Sequence, residues 1–295
     1  MQSADFLSAV FFYLKEGENL NQNWIVENLN NAFSTWNGKL GELWGLVTTG
    51  PQTFKGGAVW SVMQTLHNVM VGIGYALVVL FFAISLCKNT MNFHELKRPE
   101  AAIHYFLRFV AAKALVGYGM DIMLNVFSIC NGIVTDMADS MGGISEAMVS
   151  LPTEMQAAIE NVGFLASIPL WLVTILGSLF ITVLSFVMIL TVYGRFFRLY
   201  MYTALAPLPL AAFAGESTQS VGISFLKSYV GVCLEGAVIV LACVIYSAFV
   251  STPTVASGEA TTIVWSFLAE TVFNMLVLVG LIKGSDRIIH EMMGL

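Results

Sequence analysis

Five apolar stretches, at about 65–87, 114–134, 164–194, 228–250 and 262–282, are each long enough to cross a bilayer. A helix rises about 1.5 Å per residue, so about 20 apolar residues cover a hydrocarbon core of about 30 Å. Inside that core each backbone N–H and C=O needs a partner within the protein, which leaves helices as the structure for such stretches. The sequence therefore predicts an all-α, polytopic transmembrane fold with about five spanning helices. Composition agrees. The 295 residues are 57% hydrophobic and 11% charged, whereas soluble domains run near 25% charged.

The charges orient the spans. Ten Lys and Arg lie from Lys88 onward, in 88–113 (Lys88, Lys97, Arg98, Arg108, Lys113), in 195–227 (Arg195, Arg198, Lys227) and in 283–287 (Lys283, Arg287). The intervening loops, about 135–163 and 251–261, contain none and hold Asp136, Asp139, Glu146, Glu154, Glu160 and Glu259. Cytoplasmic loops retain the cations. The expectation is a multi-pass protein of the cytoplasmic membrane, N-terminus outside and C-terminus inside. The net charge of −6 reflects this division and says little about partners.

Residues 1–60 form a separate amphipathic, extracytoplasmic segment, followed by a transmembrane domain at 61–295. Trp24, Ile25, Leu29, Phe33, Trp36, Leu40, Leu43, Trp44 and Val47 recur at helical spacing, with asparagines, Glu27, Lys39 and Glu42 between them. That is one apolar helix face. It suits a membrane interface, a partner helix or this chain's own helices, and spacing does not separate the three. No basic residue precedes the apolar patch at Phe6–Leu14, and Lys15 follows it, which is not the order of a cleavable signal. Gly50-Pro51 closes the segment.

Further along, Pro99 opens a helical lead-in that is expected to continue into the second span as one long helix. The second span is the most polar, with Gly117, Gly119, Asp121, Asn125 and Asn131, and should face protein or water. A short amphipathic helix is expected near 153–161. The third span is long enough to tilt or protrude. Residues 199–215 are apolar but short and contain Pro207 and Pro209. A crossing there would place Arg195 and Arg198 opposite Lys227, so the segment reads as a re-entrant or interfacial broken helix; a proline-kinked sixth span is the alternative. Ser217, Thr218 and Ser220 offer caps for the helix that follows.

Three acids, Asp121, Glu235 and Glu270, lie within the apolar spans. Burying an ionised carboxylate is costly, so each is a candidate for a conduit lining, a subunit interface or an ion-coupling site. Lys227 is too far along the helix to pair with Glu235. Arg195 and Arg198, three residues apart, read as an anchor on lipid phosphates, or as a cytoplasmic docking or gate element together with Pro207, Pro209, Glu216 and Lys227. His67, His94, His104 and His290 do not cluster, and Cys87, Cys130, Cys233 and Cys243 lie in apolar helices without metal-ligand spacing. No catalytic motif, cofactor site or nucleic-acid-binding module is read.

Arg195-Phe196-Phe197-Arg198, Ala206-Pro207-Leu208-Pro209, Gly215-Glu216-Ser217 and Gly222-Ile223-Ser224-Phe225-Leu226-Lys227 together resemble the TrbL-like group of conjugation proteins. That group is related to the sixth VirB component, a polytopic inner-membrane subunit of type IV secretion systems. The resemblance is strongest across 195–250. It implies a channel or scaffold subunit that helps move DNA–protein or protein substrates across the membrane. It also implies a homo-oligomeric ring, other secretion-system membrane subunits and a cytoplasmic ATPase as partners, with lipids around it. The competing readings are a stand-alone secondary transporter or ion-conducting pore built on the intramembrane acids, and a small self-assembling pore. One broken helix without an internal repeat counts against the transporter.

Overall fold

The computed structural model describes residues 2–90, 99–140, 148–160, 162, 164–249 and 260–294. Every α-helix among them runs in the order α1 Gln2–Thr48, α2 Ala58–Thr90, α3 Pro99–Gly117, α4 Gly119–Ser140, α5 Thr153–Glu160, α6 Phe164–Leu205, α7 Pro207–Ala211, α8 Gln219–Phe249 and α9 Ala260–Met293. Among the described residues, four helices are long and apolar enough to cross a membrane: Phe54–Lys88, Ser167–Leu205, Gln219–Phe249 and Thr262–Met293. The pair Ile103–Gly117 and Gly119–Ser140 makes a fifth if counted as one span. The basic stretch with Lys97 and Arg98, the Gly142-Gly143 turn and the loop with Pro253 and Glu259 lie outside the described residues.

Two expectations are corrected. The lead-in and second span are not one long helix, because α3 and α4 meet at Tyr118 with a bend of 71°. Glycines flank the bend, and each is closely approached. A Cβ on Gly117 would lie 2.8 Å from the Tyr75 hydroxyl, and one on Gly119 would lie 3.2 Å from Leu210. The third helix also does not stop near residue 194. It runs through Arg195 and Arg198 to Leu205, about 63 Å at 1.5 Å per residue, and breaks only at Ala206. Other expectations match: α3 opens at Pro99 and α5 covers Thr153–Glu160.

The helices fall into two compact units. Unit 1 comprises Met1–Trp44, Met141–Thr191 and Leu241–Lys283. In it the α1 stripe packs on the chain's own helices, which answers the question left open by spacing. Ile25, Leu29, Phe33, Trp36, Leu40 and Leu43 are buried, with Trp24 against Trp171 and Phe33 edge-on to Phe267. Asn28 Nδ2 donates to Ser178 Oγ at 3.1 Å.

Unit 2 comprises Gly45–Ser140, Val192–Val240 and Gly284–Leu295. The turn between α1 and α2 places Lys55, Gly56 and Gly57 at φ 50°, 73° and 78°, the left-handed region that glycine enters most easily. Phe54 in this turn stacks on Phe196 of α6 at 4.0 Å and 11°. The broken segment is enclosed: α7 and the 3-10 turn Ala212–Ala214 pack on α2 and α3, with Pro207, Leu210, Ala211, Ala212 and Ala214 buried. A Cβ on Gly74 of α2 would lie 2.9 Å from the Pro207 carbonyl, so α2 and α7 touch backbone to backbone. Among the expected caps, the Thr218 hydroxyl is used elsewhere, donating to the Ala212 carbonyl at 2.7 Å.

Candidate functional site

Arg195 is fully buried on α6 in unit 2. Its Nε donates to the Val232 carbonyl at 3.3 Å, Nη2 to Cys233 at 3.1 Å and Nη1 to Val47 at 3.3 Å. Val47 is in the last turn of α1, where carbonyls have no partner within their helix and the helix end carries partial negative charge. Val232 and Cys233 are inside α8, and each carbonyl has a second lone pair to offer. Gly236, one turn further on, makes room. A Cβ there would lie 2.8 Å from both Nη atoms and 2.9 Å from Cζ. The guanidinium therefore lies against bare α8 backbone.

One turn along α6, Arg198 Nη2 contacts both carboxylate oxygens of Glu235 at 2.7 Å. Its Nη1 reaches Asp286 Oδ1 at 2.5 Å. The Ser285 hydroxyl donates to Glu235 Oε1 at 3.2 Å. His290 Nε2 lies 3.6 Å from the same Asp286 oxygen. Glu235 is 1% exposed, Arg198 28% and Asp286 43%. The network thus runs from a sealed carboxylate outward to solvent-accessible groups. Arg198 alone faces both carboxylates, and the network fastens α6, α8 and α9 to one another. This geometry replaces the expected contact of Arg195 and Arg198 with lipid phosphates. It also supplies the basic partner of Glu235 that Lys227 is too far along α8 to be.

The three intramembrane acids sit in different settings. Asp121 is exposed in the first turn of α4. It lines a polar cleft of about 530 Å³ with Gln52, Asn125, Ser128 and Asn131. Asn131 Nδ2 donates to the Thr48 carbonyl at 3.2 Å, while its Oδ1 has no partner among the described residues. Glu270 is exposed on α9 and belongs to unit 1. Of the expected gate residues, Glu216 is exposed; its N–H donates to Ser85 Oγ at 3.4 Å, and its carboxylate faces Arg108 at 3.7 Å rather than Arg195 or Arg198. Lys227 is exposed and makes no ion pair among the described residues. Pro209 is half-buried.

Pro207 has a consequence that spacing alone could have exposed. In a regular helix the Thr203 carbonyl would accept from the N–H of residue 207, and proline has none. His67, 2% exposed on α2, fills the vacancy, with Nδ1 donating to that carbonyl at 2.7 Å. His67→Phe is expected to cost about 1–3 kcal/mol by leaving a buried carbonyl unpaired. Adding Pro207→Ala should return part of the loss by restoring an N–H. Thermal melts of the three purified variants in one detergent check both expectations.

The pattern of the TrbL/VirB6 plasmid conjugal transfer like protein family matches residues 36–207, more than half of the chain. The match covers α2 through α6 and shares 195–207 with the stretch that carried the resemblance. No curated protein and no solved structure matches the chain.

Proposed function

The chain belongs to the TrbL/VirB6 plasmid conjugal transfer-like family, and from that premise we propose that it is a channel or scaffold subunit of a conjugative type IV secretion apparatus. As a membrane component of a conjugal transfer system, it would help pass DNA–protein or protein substrates across the cytoplasmic membrane. The observation that carries this reading is the exposed polar row Asp121, Asn125 and Ser128 on α4, beside an open polar cleft. A carboxylate and an amide on a helix in an apolar setting need water or a protein partner. A water-filled path within an assembly of copies supplies both. The Arg198–Glu235–Asp286 network, with Arg195 on the α8 backbone beside it, serves as the frame that holds the helices in register.

In this reading several copies form a ring, other membrane subunits complete the path and a cytoplasmic ATPase supplies the energy. The N-terminus lies outside and the C-terminus in the cytoplasm. The α7 break re-enters from the cytoplasmic side as a packed element beside α2 and α3. A transporter coupled through the acids is less well supported, because the Glu235 carboxylate is already occupied by Arg198.

The test replaces Asp121 and Asn125 together by leucine in the conjugative donor. Transfer is expected to fall about tenfold or more, the factor that about 1.4 kcal/mol of added barrier produces, while the protein accumulates in the membrane as before. Undiminished transfer with normal abundance would remove the α4 row from the path.

A further inference from the structure

We propose that Cys130 of α4 and Cys233 of α8 form a two-coordinate site for a soft monovalent metal cation such as Cu(I), with Arg195 as its counter-charge. Chain position gives no hint of the pair, because the two cysteines lie on different helices of unit 2. Helix packing joins them. On α8, Tyr229 and Cys233 are four residues apart, so they share a face, and both are buried. On α4, Met123, Phe127 and Cys130 form one buried row. The Tyr229 hydroxyl donates to the Met123 carbonyl at 2.8 Å, so the two faces abut. Further along both helices, the Cys130 and Cys233 thiols hydrogen-bond to each other. They are 6% and 0% exposed.

The number of ligands decides which ion fits. Among the described residues no third His, Cys, Asp or Glu joins the pair to make a larger ligand group. Zinc closes a structural site with about four ligands, and calcium and magnesium take about six or more oxygens. Cu(I) is soft, selects thiolate and accepts two ligands in line. Bonds near the 2.3 Å of a zinc thiolate would hold the two sulfurs at most about 4.6 Å apart, whereas a disulfide needs about 2.05 Å. Hydrogen-bonded thiols, with a proton between the sulfurs, stand nearer the first arrangement.

Charge makes the same selection. Two thiols and one monovalent cation give a bis-thiolate complex with a single negative charge, and two protons leave to water. A lone anion buried there would be costly. Arg195 answers it, being fully buried with both sulfurs inside its field. Its donors go to the carbonyls of Val232, Cys233 and Val47, and none goes to a carboxylate among the described residues. Glu235 also acts on it from a distance, but the Glu235 oxygens are engaged by Arg198 and Ser285. The guanidinium thus rests on neutral groups, and the complex gives it an adjacent anion. A divalent ion on the same two thiolates would be neutral and would not. The bound ion ties α4, which carries Asp121 and Asn125, to α8. The inference does not use the conduit reading, so either can fail while the other stands.

The experiment uses the full-length protein with Cys87→Ser, since Cys87 is the exposed native thiol. It is purified in detergent without oxygen and titrated with Cu(I) held by bicinchoninate. One Cu(I) per chain should leave the chelator, and copper X-ray absorption should show two sulfurs at about 2.3 Å or less. Adding Cys130→Ser or Cys233→Ser should weaken binding about 100-fold or more, the upper end of what losing even a supporting group costs. Adding Cys243→Ser should change nothing, and Zn²⁺ at the same concentration should not bind. Thermal melts establish that the serine variants fold; if they do not, the absorption spectrum of the Cys87→Ser protein decides alone. Four results would each overturn the inference. In the first, no copper is taken up although alkylation after denaturation counts the three remaining thiols as free. In the second, that alkylation finds Cys130 and Cys233 already joined as a disulfide. In the third, a folded Cys130→Ser or Cys233→Ser variant binds copper as before, or zinc binds as tightly. In the fourth, the spectrum shows nitrogen or oxygen donors, or more than two sulfurs.

Discussion

Glu235→Leu is expected to destabilise the protein by about 3–5 kcal/mol, the usual loss when one partner of a buried ion pair is removed. The substitution leaves the Arg198 guanidinium with Asp286 alone and removes the carboxylate to which the Ser285 hydroxyl donates. Arg198→Leu should do comparable harm from the other side, because Glu235 at 1% exposure would lose its cation. The informative variant is the double one, Arg198→Leu with Glu235→Leu. Two leucines side by side cost little in an apolar setting, and replacing a buried pair by packed apolar residues is often neutral. Asp286, at 43% exposure, can turn to water. The cycle should therefore show a coupling of several kcal/mol between the two positions, read from thermal melts and from membrane abundance. Additive losses would mean that the contacts at 2.7 Å contribute nothing to stability. If the double variant also regains transfer, the cluster acts as a frame; if it regains stability but not transfer, the charges themselves take part in transport.

What the amino-acid sequence allowed was governed by range. The crossings were readable because apolar length is a local property, and so were the α1 stripe, whose 3.6-residue period is set within the helix, and the start of α3 at Pro99. The Glu235 pair was not readable, because its partner lies 37 residues away on another helix. Looking along α8 alone reaches only Lys227, which is exposed and unengaged among the described ion pairs. Asp286 sits among cations that serve to count topology, and its role appears only when α9 is laid against α6. The bend at Tyr118 had a signal in Gly117 and Gly119, but two glycines in a polar span also read as mere weakness of the helix. The Thr203 carbonyl is the opposite case. Proline four residues on guarantees a missing donor, so a buried hydrogen-bond partner such as His67 could have been sought from spacing alone.

Gly236→Ala and Gly194→Ala should move stability in opposite directions, although both add one methyl to a helix interior. Alanine favours a helix over glycine by about 1 kcal/mol, and at Gly194 nothing lies within 4 Å of the added carbon. That variant should gain about that amount. At Gly236 the new Cβ would lie 2.8 Å from two guanidinium nitrogens. The tip of a free arginine would swing aside, but this one is tied to carbonyls of Val47, Val232 and Cys233 and is fully sealed. Moving it breaks bonds that a buried cation cannot replace with water, and overpacking alone costs about 1–3 kcal/mol. Gly236→Ala should therefore lose about 2 kcal/mol or more relative to Gly194→Ala, against a propensity that acts equally on both. Chemical denaturation of the two variants beside the unaltered protein measures the difference. Equal gains at both sites would mean that Arg195 does not lie against α8, and the frame would then rest on Arg198 and Glu235 alone.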